Sequence, residues 1–79
     1  MSGEVVPLSQ LKVGERGVIK KIKSTKAVRQ RLLAMGLVKG ETIRVHRIAP
    51  LGDPIDFVIK EYHLSLRKSE SAKVLVEKV

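Results

Sequence analysis

At 79 residues the chain has room for one domain, and with no cysteine it can form neither a disulfide nor a thiolate metal site. Its 43% apolar content is ordinary for a globular domain, and no run approaches the roughly 18 apolar residues of a membrane span. The formal charge of +8 is uneven: residues 1–25 hold +3, residues 26–47 hold +5 and residues 48–79 are neutral. Such a field attracts an acidic partner, whether nucleic acid, anionic lipid or an acidic protein face.

The start, Met1-Ser2-Gly3-Glu4, lacks the basic run and apolar core of a signal peptide, so a cytoplasmic protein is expected. Val5 to Val13 is short and broken by Pro7, and Leu8, Leu11 and Val13 suit a turn of helix beneath a barrel. After Gly14-Glu15, the β-branched run from Arg16 to Lys23 reads as a first strand. Ser24 or Thr25 can cap the next element, a helix over Lys26 to Met35 with Val28, Leu32 and Met35 on one stripe. Gly36 follows as a left-handed cap.

Leu37 to Gly40 is a turn, and Thr42 to Ile48 a second strand with Ile43 and Val45 inward. Its alternation slips at Arg47, which a bulge would explain. Pro50-Leu51-Gly52-Asp53-Pro54 is a loop. Ile55 to Ile59 and Tyr62 to Leu66 alternate and read as a hairpin. Neither Lys60 nor Glu61 suits positive φ, so a turn looser than two residues is expected. Lys68 to Ala72 is a turn, and Lys73 to Glu77 a last strand. About five short strands and one helix close most naturally as a mainly β, SH3-like barrel with an inserted α-helix, one domain over residues 1–79.

The catalytic inventory is poor, and no enzyme is expected. His46 and His63 sit on outward faces with no Ser-His-Asp pattern near them. As a pair they bind metal only if the strands bring them together, and a metal site usually needs three or four ligands. Asp53 and Asp56 flank Pro54, where turn capping and an exposed strand position account for them. No phosphate-binding glycine loop exists. No cofactor and no metal ligand set is therefore assigned.

The basic excess lacks the aromatic surface used to stack bases. Only Phe57 and Tyr62 are aromatic, and Phe57 reads as buried, which argues against nucleic acid recognition by stacking. Binding to a duplex backbone remains the alternative reading. On the helix wheel Leu33 falls between Lys26 and Arg29, away from the buried stripe: an apolar residue among cations, suited to a protein contact. Leu51, held between Pro50 and Gly52 in a stiff loop, is a second candidate contact.

Four stretches together resemble the ferrous iron transport protein A (FeoA-type) domain family. They are Pro7-Leu8-Ser9-Gln10-Leu11-Lys12-Val13-Gly14, Arg31-Leu32-Leu33-Ala34-Met35-Gly36-Leu37-Val38-Lys39-Gly40, Ala49-Pro50-Leu51-Gly52-Asp53-Pro54-Ile55, and Tyr62-His63-Leu64-Ser65-Leu66-Arg67-Lys68-Ser69-Glu70. The resemblance implies an SH3-like barrel with an inserted helix. It implies a cytoplasmic partner of the ferrous iron transporter, a membrane protein with a cytosolic GTP-binding domain that the family is thought to regulate. The expected form is a monomer or weak dimer that does not insert into the membrane. The family offers no catalytic or metal-binding residues to carry over. One departure is Glu61, where the pattern has glycine before the tyrosine.

Overall fold

The structure, a computed structural model, describes residues 3–79. Met1 and Ser2, part of the start read above for a leader, lie outside them. The chain forms one six-stranded antiparallel sheet of order β1-β6-β2-β3-β4-β5. The strands are β1 (Val5–Pro7), β2 (Arg16–Ile22), β3 (Thr42–Ile48), β4 (Ile55–Ile59), β5 (Tyr62–Leu66) and β6 (Val74–Lys78). Helix α1 (Lys26–Ala34) lies between β2 and β3, and a single helical turn, α2 (Lys68–Ser71), lies between β5 and β6. A 3₁₀ turn, Leu8–Gln10, follows β1 and packs against α2.

Three local expectations are corrected. Val5–Pro7 is a strand, because β6 pairs with β2 along one edge and offers Leu75, Val76 and Glu77 as partners along the other. Its proline sits on an edge strand, where a missing N–H is tolerated. The β4–β5 turn is tight after all: Ile59 pairs with Tyr62, and Lys60 takes φ 56° to close it. The ladder, not the turn residues, sets this connection. Residues 68–71 are a helical turn because Asp53 and Glu70 cap its start. Lys68 N–H donates to Asp53 Oδ1 at 3.0 Å, and Arg67 N–H donates to Glu70 Oε1 at 3.0 Å.

Two bulges shape the sheet. One lies between Val45 and Arg47, where the slip in alternation placed it. The other lies between Ile19 and Lys21, so Lys20 and Lys21 are both exposed while Ile19 and Ile22 are both buried. The core runs through every strand. Ile43, Val45, Phe57, Val74 and Val76 are fully buried, and Leu8 and Leu32 pack onto them from outside the sheet.

The ends of α1 are well defined. Thr25 Oγ1 accepts a hydrogen bond from Val28 N–H at 3.3 Å. At the other end Gly36 takes φ 102°, Gly36 N–H donates to Leu33 O at 3.0 Å, and Leu37 N–H donates to Leu32 O at 3.1 Å. This is a Schellman cap, completed by the burial of both Leu32 and Leu37.

Candidate docking pocket

The Schellman cap turns the chain back toward β2 and carries Leu37 under α1. There Leu37, Ile19 and Ile22 floor a surface pocket of about 80 Å³, and Leu33 forms its helix wall. Leu33 keeps 41% of its surface exposed, while its neighbour Leu32 has none. The cations Lys21, Arg29 and Lys39 complete the lining. They come from three separate segments: the β2 bulge, α1 and the turn before β3.

These three cations belong to none of the ion pairs among the described residues. Those pairs join Lys20 to Glu77 (3.0 Å), Arg31 to Glu70, Arg47 to Asp56 (3.4 Å), Lys60 to Glu41 (3.3 Å) and Lys78 to Glu15 (3.4 Å). Glu15, Glu41, Asp56, Glu70 and Glu77 thus pair with cations elsewhere. Several are also held by neutral donors. The Arg67 N–H, then the Arg31 guanidinium, keep Glu70 below its ordinary acidity range. The Ser65 hydroxyl, then Arg47, do the same for Asp56. For Glu15 the Lys12 N–H, at 2.7 Å, is the main cause.

Of the residues singled out from sequence, Arg29 and Leu33 line the pocket, while Lys26 and Leu51 do not. Leu51 is 97% exposed at the tip of the β3–β4 loop. Sequence reading missed Lys21, Lys39 and the apolar floor. The available signal was the spacing of Ile19 and Ile22, three apart in a strand of period two, with two lysines between.

From sequence, His46 and His63 are two solvated surface histidines. The strands bring them together: their rings meet edge to face at 4.8 Å between centroids. Both are exposed, and the described residues contain no group of three His, Cys, Asp or Glu arranged to hold a metal ion. Asp53 and Asp56 are taken up by Lys68 N–H and by Ser65 and Arg47. Tyr62, the one exposed aromatic, spends its hydroxyl on Met35 O at 2.5 Å.

Six antiparallel strands and one inserted helix define a small SH3-like domain, which carries an exposed apolar pocket set among cations. Residues 6–78 match the FeoA domain, and the chain belongs to that family. A Porphyromonas gingivalis protein, described as a Fe(2+) transport protein A/Fe(2+) transporter FeoB fusion protein, is 43% identical over 70 residues. That match takes in 89% of this chain but only 8% of the relative's length.

Among solved structures, an iron uptake regulatory protein (FeoA) is 34% identical with a TM-score of 0.84, covering 96% of this chain and 99% of its own. FeoA from Chlorobium tepidum is 38% identical with a TM-score of 0.87, covering 94% and 70%. FeoA from Stenotrophomonas maltophilia, described as a procaryotic SH3 domain protein, is 29% identical with a TM-score of 0.76, covering 96% and 88%. A manganese-dependent transcriptional repressor shares the fold alone, at 14% identity and a TM-score of 0.87. No helix among the described residues is long and apolar enough to cross a membrane.

Proposed function

We propose that this chain is a non-catalytic cytoplasmic accessory domain that binds the ferrous iron transporter and modulates its cytosolic GTP-binding domain. The observation that carries this reading is the Porphyromonas gingivalis relative, which joins a sequence 43% identical to this one and the transporter in a single polypeptide. Covalent linkage of two domains raises their effective concentration, and it is useful where the domains act on one another. The surface fits such a role. Arg29 and Leu33 stand at the pocket, Lys26 begins the same helix, and all are exposed. Leu51 offers a second apolar contact from the β3–β4 loop.

The test is binding of this chain to the isolated GTP-binding domain of the transporter, followed by association and dissociation rates. Exposed charges mainly speed encounter. Lys26→Glu with Arg29→Glu should lower the association rate and flatten its salt dependence. Leu33→Ala should raise the dissociation rate. Wild-type binding that none of these changes alters would place the contact elsewhere; no binding at all would end the reading.

The unpaired cations also favour a second reading, contact with a nucleic acid backbone. Such binding would weaken steeply with added salt and would be indifferent to Leu33.

A further inference from the structure

We infer that the pocket between α1 and β2 is a socket for one apolar side chain presented by an acidic segment of a partner protein. This deepens the docking role proposed above and rests on it only for which protein carries the segment.

Size limits the occupant first. Sites for drug-sized ligands and cofactors run to roughly 300–1,000 Å³. A cavity of about 80 Å³ is far smaller and suits a single side chain. Its floor of Ile19, Ile22 and Leu37 selects an apolar one. Leu33, exposed along one wall, would be covered by the chain that delivers it.

Charge then limits what flanks the anchor. Lys21, Arg29 and Lys39 are free of the ion pairs found among the described residues, whose carboxylates serve other cations. Exposed and unpaired, they are available to carboxylates from outside the domain. Because the three arise from β2, α1 and the turn before β3, they meet carboxylates on both sides of an inserted residue. A phosphodiester backbone would satisfy the cations and leave the apolar floor empty. Charge complementarity and the floor together therefore favour an acidic peptide over nucleic acid.

The test is a methyl-resolved NMR titration of the full chain with two blocked peptides. Each has two acidic residues on either side of a central position, which is leucine in one and glycine in the other. The leucine peptide should shift the methyl signals of Ile19, Ile22, Leu33 and Leu37 saturably and bind about tenfold more tightly than the glycine peptide, the factor that burying one leucine supplies. Arg29→Glu with Lys39→Glu, both at exposed positions, should weaken the leucine peptide several-fold with the fold intact. Equal affinity for the two peptides, or shifts confined to other residues, would overturn the socket. So would a short DNA duplex that binds more tightly than the leucine peptide and competes with it. Failure of the transporter assay with success of this titration would instead refute the partner and leave the socket standing.

Discussion

The hydroxyl of Tyr62 on β5 donates a hydrogen bond to the carbonyl of Met35 at the end of α1, 2.5 Å away, and in reaching it passes over Gly36. A Cβ at position 36 would collide with the phenol oxygen, and φ there is 102°. The glycine thus serves two needs, a left-handed cap and room for a side chain from a distant strand.

Gly36→Ala should therefore destabilise the domain by about 2 kcal/mol, from backbone strain and the displaced hydrogen bond. Tyr62→Phe, which keeps the ring and loses the bond, should cost about 1 kcal/mol. Denaturant unfolding monitored by circular dichroism measures both. Equal stability of Gly36→Ala and wild type would show that the helix end can rearrange around the substitution.

Adjacent leucines on α1 should behave oppositely. Leu32→Ala should cost about 2–5 kcal/mol, since it empties a fully buried site. Leu33→Ala should cost less than about 1 kcal/mol, since it trims an exposed wall and adds a better helix former. A large loss of stability for Leu33→Ala would move Leu33 into the core and remove it from any contact surface.

The acid limb of stability should depend on Glu70. Its folded pKa lies below the ordinary 4.5, held there by the Arg67 N–H and then Arg31. A depressed carboxyl contributes stability that is fully present above its unfolded pKa and is lost as pH falls through the folded one. Stability should thus decline below pH 4.5, and Glu70→Gln should make that decline shallower while lowering stability near neutrality. Unfolding midpoints across the acid range test this. An unchanged acid slope in the variant would assign it to Asp56 and Glu15, which are depressed in the same direction.

No tight intrinsic metal site is expected. His46 and His63 touch, but two imidazoles on an exposed face leave a divalent ion short of the three or four protein ligands of a tight site. Calorimetry of the isolated domain with ferrous iron or zinc should show no sub-micromolar binding, and any weak binding should vanish in His63→Ala. Stoichiometric sub-micromolar uptake would contradict this expectation.

The strands β2 to β5 and helix α1 were legible because their apolar residues keep a clear period, and Thr25 and Gly36 punctuate the helix. What escaped was decided by pairing between distant segments. Val5–Pro7 is a strand only because β6 leaves it the edge opposite β2, and Lys60 enters positive φ only because Ile59 and Tyr62 are held in register. The pocket was half legible. A helix wheel finds Leu33 and Arg29, but it cannot say that a bulge in β2 brings Lys21 beside them.

Leu37 gives its amide to the end of the helix and its side chain to the floor of the pocket. Fraying of the last turn of α1 and collapse of the pocket should then occur as a single opening event, one cooperative unit within the fold. The amide of Leu37 is the natural reporter of that event: its hydrogen-exchange rate should measure how often the pocket opens. An occupant that requires the floor will slow that exchange in proportion to its own saturation, without touching the amide.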